Sequence, residues 1–148
     1  MFAIGGIMGA PYLPTLKPTA RAALDLAQLQ PGDSLLDLGA GSGELLLAAA
    51  KRGINATGIE INPLLWLVAW LRLRPYRGRA RIKWGNYWHG AWPKVDCIYI
   101  FLIGHQMERF ARTLDEAERP LKVLSYTFEI PGLKAAKVAR GIYYYELN

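Results

Sequence analysis

The sequence predicts an α/β domain: a doubly wound, mostly parallel sheet in three layers, with an antiparallel last strand. Three observations carry this. Short apolar runs alternate with helical patterns along the 148 residues, as in βαβ units. The first run, at residues 35–38, opens into glycines at 39, 41 and 43 and then into the helical ELLLAAA at 44–50. The run at 95–103 is nearly all apolar, as strands buried on both faces are.

A chain of this length makes one domain, taken here as 1–148, with an N-terminal arm and helix over 1–30 and the core over 31–148. At 52% hydrophobic and 20% charged residues it can bury a full core. The net charge of +6 admits nucleic acid, acidic protein surfaces or anionic lipid without choosing among them. The single cysteine, Cys97, allows no internal disulfide and no thiolate metal cluster. It lies in an apolar run and reads as a buried thiol. The two histidines, His89 and His105, stand in no metal-ligand spacing, so no metal is expected.

The N-terminal MFAIGGIMGA is apolar but has no basic leader and is too short to span a bilayer. It reads as an arm or helix packing on the domain, or as the remnant of a longer membrane anchor. Pro11 and Pro14 stiffen PYLPT at 11–15. Thr15 or Thr19 is expected to cap a helix over 18–29, whose apolar face is Ala22, Ala23, Leu26, Ala27 and Leu29. Pro31-Gly32-Asp33 is a turn. After the first strand and its helix, Gly53 sits where a C-terminal cap belongs. Residues 55–60 form the second strand. Asn62 caps, and Pro63 begins, a helix over 63–74, PLLWLVAWLRLR. Trp66 and Trp70 share one of its faces, and Arg72 and Arg74 suit its negative end. This helix either packs on the sheet or offers an aromatic-basic face to a membrane or partner.

Arg77-Gly78-Arg79 is a basic turn, 80–84 a third strand, and 85–88 the loop beyond it. The central strand follows at 95–103. A charged amphipathic helix is expected over 108–119 with a solvated face, stopped by Pro120. A strand at 123–130, a Pro131-Gly132 turn, a basic segment at 134–140 and a last strand at 142–147 complete the chain.

The glycine turn is the feature that carries chemistry. Glycine tolerates φ > 0 and lets backbone N–H groups approach a ligand, and the helix behind it aims its positive end there. Glu60, about 20 residues on, stands where an acid accepts both hydroxyls of a ribose and repels a 2′-phosphate. Asp37 supplies a second acid two positions before the first glycine. The spacing Gly39-x-Gly41-x-Gly43 departs from G-x-G-x-x-G, which disfavours a nicotinamide cofactor. Asn86, in a loop past a strand's carboxyl end, either reads an adenine edge or is a polar turn residue. Tyr87 or Trp88 is placed to cover the ring.

This loop, with Asp37 and Glu60, resembles the nucleoside-binding core of class I S-adenosylmethionine-dependent methyltransferases, which are Rossmann-like. Together with PYLPT at 11–15, GIEIN at 58–62, GNYW at 85–88, IFLIGHQM at 100–107 and FEI at 128–130, most of the chain resembles the small seven-strand protein-lysine methyltransferases. That group includes archaeal broad-specificity enzymes and mitochondrial enzymes acting on the c-ring protein of ATP synthase and on the adenine nucleotide translocase. The resemblance implies S-adenosylmethionine as cofactor and methyl transfer to lysine side chains of proteins. It places Gly39, Gly41 and Gly43 at the methionine part with Asp37 beneath them, Glu60 at the ribose, and Asn86 and Tyr87 at the adenine, and counts Leu38 and Ile61 among the cofactor-binding residues. Tyr12, Pro14 and Thr15 close over the methionine end. Phe101 begins the strand-end segment where amino-methyltransferases of this fold carry Asp/Asn-Pro-Pro-Tyr. That motif is absent, which disfavours a nucleic-acid adenine acceptor. Tyr126 and Glu129 are the catalytic candidates, near the path of an incoming lysine. The alternatives are a methyltransferase for RNA or a small molecule, or a nucleoside-binding module without catalysis. The expected location is cytoplasmic, with peripheral membrane contact as the alternative; the oligomeric state stays open.

Overall fold

The computed structural model describes residues 15–148, so the expectations for the N-terminal arm, including Tyr12 and Pro14, lie outside the described residues. Helix α1 (Lys17–Leu26) leads into β1 (Ser34–Leu38), α2 (Glu44–Lys51), β2 (Asn55–Glu60) and α3 (Pro63–Arg72). A short 3-10 turn, β3 (Ala80–Trp84), β4 (Cys97–Ile100), α4 (Gly104–Leu114), β5 (Leu121–Tyr126), β6 (Lys137–Ala139) and β7 (Ile142–Leu147) follow. Among the described residues the strands form one seven-stranded sheet in the order β3-β2-β1-β4-β5-β7-β6. Pairing is parallel from β3 through β5, and β7 runs antiparallel to both β5 and β6. The sheet reverses its winding between β1 and β4, the topological switch point where open α/β sheets hold ligands.

Strand alternation divides the core in two. Leu35, Ala56, Cys97, Tyr99 and Leu124 face α1 and α2, together with Leu73 from beyond α3. Leu36, Leu38, Ile98, Ile100 and Val123 face Met107, Phe110 and Leu114 of α4. Cys97 is fully buried, and burial pushes its thiol pKa up, which makes it an unreactive core residue.

The cap signals hold where they were strongest. Asn62 Oδ1 accepts the N–H groups of Leu64 and Leu65 at 2.9 and 3.3 Å. After α2, Gly53 adopts φ +78. Its N–H bonds Ala50 O while Ile54 N–H bonds Ala49 O, both at 3.0 Å, a Schellman closure.

Other boundaries differ for local reasons. Neither Thr15 nor Thr19 caps α1; the cap position is Leu16, without a side-chain bond, and Pro18 in the first turn has no N–H to cap. That helix stops at Leu26, and Gln28 turns left-handed at φ +51. Pro75 falls in the 3-10 turn Arg74–Tyr76, so α3 ends at Arg72. The central strand is only Cys97–Ile100; α4 begins at Gly104 with Ile103 at its cap position, so the apolar residues 101–103 form the connection rather than strand. Helix α4 begins and ends earlier than its charges suggest; its marker is the buried Met107, Phe110 and Leu114 row, and Pro120 lies six residues beyond its end. Strand β5 ends at Tyr126 because Thr127 leaves it at φ +75. The basic segment contains β6, which has no buried residue and so gives no alternating pattern.

Gly58 in β2 is a packing requirement. A Cβ there would meet Leu46 Cδ1 at 2.5 Å and Ala40 Cβ at 2.6 Å. Gly58→Ala is therefore expected to cost about 1–3 kcal/mol by overpacking, read as a lowered urea midpoint; an unchanged midpoint would show that the loop and α2 shift freely.

Candidate functional site

The site stands at the carboxyl ends of β1, β2 and β4. Gly39, Gly41 and Gly43 all take positive φ, at +86, +59 and +85. The N–H groups of Gly39 and Ala40 donate to Ile59 O at 2.9 and 3.1 Å, which lays the turn across the end of β2. A Cβ on Gly39 would meet nothing within 4 Å, whereas one on Gly43 would meet Ala69 Cβ at 3.1 Å. The first glycine leaves backbone open to a ligand, and the third lets α2 and α3 pack closely.

Glu60, 7% exposed, holds this turn. Its Oε1 accepts Gly41 N–H at 2.7 Å and its Oε2 accepts Asn62 N–H at 2.9 Å. A carboxylate has about four lone-pair sites, so two remain for a ligand. Arg72 fastens the other side of the turn, donating to Ser42 O at 2.9 Å and pairing with Glu44 at 3.3 Å. The pairing of Arg72 with this loop has no sequence signal; the helix dipole is the only role its position suggests.

Asp37 lies deeper, 3% exposed. Burial first, and the Glu60 charge second, push its carboxyl up to about 8. Tyr99 is its register partner on β4. The Tyr99 hydroxyl is buried with no well-formed hydrogen bond among the described residues. Burial and the Asp37 charge raise its pKa, and the Thr15 side chain draws it back, which places Thr15 at this end of the crevice. Tyr99 is hidden, in the sequence, by the apolar run that contains it.

The remaining candidates divide. Ile61 is half-buried, and its carbonyl accepts Trp84 Nε1–H at 2.9 Å. Leu38 points its side chain into the α4 core, so only its backbone serves the turn. Asn86 uses Oδ1 to accept Trp88 N–H at 2.9 Å; one lone pair of that oxygen and both amide N–H donors stay free, so closing the turn still leaves it able to meet an adenine edge. Burial and the Glu60 charge push Tyr87 up to about 12, against a smaller opposite pull from Arg109, so the phenol and the acid are electrostatic neighbours.

Beyond β4 and β5 stands an aromatic wall. Phe101 lies 5.7 Å from Tyr126 and stacks on Phe128 at 6.1 Å, 23° between planes. Thr127 holds this arrangement in a left-handed conformation unusual for a β-branched residue. Its N–H donates to Gly141 O at 2.6 Å, and Ser125 Oγ–H donates to Phe128 O. Strain of this kind persists where the surroundings over-determine it. Sequence reasoning misses Phe128 because the turn that presents it reads as strand. Glu129 is exposed on the next turn; burial first, and the Glu129 charge as a smaller contribution, raise the pKa of Tyr145 against the opposing bond from Ile130 N–H. A separate groove of about 460 Å³ between Tyr87, Trp88, Trp92 and α4 is walled by mutually tilted rings with Arg109 4.3 Å over Trp88.

The chain is similar to known proteins over most of its length. The family described as ANTKMT methyltransferase domain matches residues 37–137. The chain is 30% identical over 135 residues to a protein-lysine N-methyltransferase of Saccharolobus islandicus, covering 88% of this chain and 84% of the relative. It is 29% identical over 126 residues to the human lysine N-methyltransferase named for the c-subunit of ATP synthase, covering 82% of this chain but 53% of that protein. The chain thus spans about half the length of that human relative. In fold it superposes on an RNA methyltransferase from Salinibacter ruber in complex with S-adenosyl-L-homocysteine with a TM-score of 0.82. That pair is 22% identical, over 90% of this chain and 93% of the other.

Asp37 makes stability depend on pH. Its folded value of about 8 exceeds the ordinary 3.8, so the folded state binds the extra proton and its stability falls as pH rises from about 4 through 8. Thermal melts are expected to show this fall, and Asp37→Asn to flatten it. An unchanged slope in the variant would assign the pH dependence elsewhere.

Proposed function

The chain belongs to the ANTKMT methyltransferase domain family, and from that premise we propose that it moves a methyl group from S-adenosylmethionine to lysine side chains of proteins. The observation that carries this reading is the left-handed glycine turn held by Glu60 at the switch point, with Asp37 buried beneath it. The residues present suit the cofactor. Gly39 leaves the space of a side chain open, Glu60 has acceptor capacity for ribose hydroxyls, and the Tyr99 hydroxyl lacks a well-formed bond among the described residues. Asp37 beside a cationic ligand would give up its proton and hold the positive charge. Asn86 and Tyr87 stand on the adenine side, and Thr15 on the methionine side with Asp37.

When bound, S-adenosylmethionine supplies a methyl group already activated on a sulfonium, which leaves the protein to position and desolvate. The wall of Phe101, Tyr126 and Phe128 fits the aliphatic stem of a lysine. An apolar wall disfavours the ammonium and lowers its pKa, delivering the amine in its nucleophilic form. In this reading Tyr126 meets the amine as the polar member of the wall, and Glu129 attracts the incoming cation from outside. The name of the archaeal relative, which matches over most of its length, supports a protein acceptor.

Purified protein with methyl-labelled S-adenosylmethionine and a protein lysate is expected to place label on lysine, located by mass spectrometry. Cofactor binding without any labelled lysine would overturn the proposal. Phe128→Ala is expected to raise KM for a lysine peptide by about tenfold, since burying about 50 Å² of the lysine stem against the ring contributes about 1.3 kcal/mol. Cofactor affinity should stay unchanged, and Phe128→Tyr should restore KM. An unaltered KM in Phe128→Ala would remove the wall from the acceptor's path.

A further inference from the structure

Helix α3 is apolar on both sides, yet only Ala69 of it is buried. Its inward row runs through half-buried Leu65 to Ala69 and on to Leu73 beyond the helix, the last two buried. Its outward row is Leu64, Leu67, Val68 and Leu71, at the i, i+3, i+4, i+7 spacing of one helical face. These are 67%, 42%, 39% and 47% exposed, with Trp70 at 40% beside them. Apolar residues gathered on one exposed face mark an interface.

Charge says what covers it. Seven of the chain's eighteen basic residues, and none of its twelve acidic ones, fall between residues 61 and 95. The net charge of +6 therefore resides in that stretch, and the rest of the chain is close to neutral. Arg74, Arg77, Arg79, Arg81 and Lys83 all follow α3 closely in the chain, and the Arg77 guanidinium lies 5.4 Å from the Trp70 ring. Exposed Trp84 closes the carboxyl end of the edge strand. A nucleic acid would engage the arginines and leave four aliphatic side chains in water, since its bases stack on aromatic rings. A second copy would bring two positive faces together.

We propose that this face seats the protein on an anionic lipid bilayer surface. The outward row and Trp70 enter the headgroup–acyl boundary, and Arg74, Arg77, Arg79 and Arg81 lie at the phosphates, as amphipathic surface helices do. Among the described residues no helix is long and apolar enough to cross a membrane, so this contact is peripheral. Because α3 starts at Asn62, next to Glu60, the seated face adjoins the glycine crevice. This inference is independent of the acceptor proposed above.

The test is co-sedimentation of the full chain with phosphatidylcholine vesicles, with and without phosphatidylserine, at low and high salt. Binding is expected only where phosphatidylserine is present and should weaken with salt. Leu67→Glu is expected to lower the partition coefficient by more than tenfold with an unchanged melting temperature, because the side chain it replaces is exposed. Each of Arg79→Gln and Arg81→Gln should lower it about fivefold. The variants retain residues 1–14, so losses in them assign the contact to α3. Absence of vesicle binding, equal binding by Leu67→Glu, or binding of RNA in place of vesicles would overturn the proposal. So would a wild-type dimer that Leu67→Glu dissociates.

Discussion

One carboxylate ties the working parts together. Glu60 ends β2 and reaches the N–H of Gly41 in the turn after β1 and the N–H of Asn62 at the start of α3. Hydrogen bonds to a charged group contribute about 1.5–3 kcal/mol each, and both of these are buried. They set where the glycine turn sits relative to the strand ends. They also start α3, since Asn62, held by Glu60, in turn caps Leu64 and Leu65. Asp37 feels the same charge from below and Tyr87 from the side. A single acid thereby shapes the turn, the helix that follows it and the titration of its two polar neighbours.

The turn is also fastened from the opposite side. Arg72 reaches back from the end of α3 to Ser42 and Glu44, and Ala69 packs under Gly43. Helix α3 is thus docked by its capped start, the inward row of Leu65, Ala69 and Leu73, the Trp66 indole N–H donated to Ile82 O at 3.3 Å and Arg72. This arrangement leaves its aliphatic row free, which explains how so apolar a helix stays exposed. The crevice and the exposed face are joined through the same few residues, so a surface that seats α3 also orients the opening of the site.

Much of this was legible in the residues. Strand and helix type followed from apolar runs and their periods, and the turn from three glycines whose φ values are all positive. Asn62-Pro63 and Gly53 fixed two helix ends because their signals are local. What escaped depended on partners far along the chain. Residues 101–103 read as strand but lead into α4, whose buried Met107, Phe110 and Leu114 pack on Leu36 and Leu38 of a distant strand. Gly141 accepts from Thr127 and so turns Phe128 out of what read as a continuous strand. Arg72 pairs with Glu44 across two helices. Asn86 was ambiguous for a local reason, since the same side chain that suits a ligand also closes its own turn. Of the two readings of α3, packing on the domain holds, through the row that ends in buried Ala69 and Leu73.

The central claim is that Glu60 organises a nucleoside crevice at the switch point between β1 and β4. A crystal structure with S-adenosylhomocysteine tests it most directly. The account requires the ligand over Gly39 and Gly41, with its ribose hydroxyls on Glu60 and the backbone bonds to Gly41 and Asn62 kept. Density in the groove between Trp88 and α4 instead, or a Glu60 with no contact to the ligand, would contradict it.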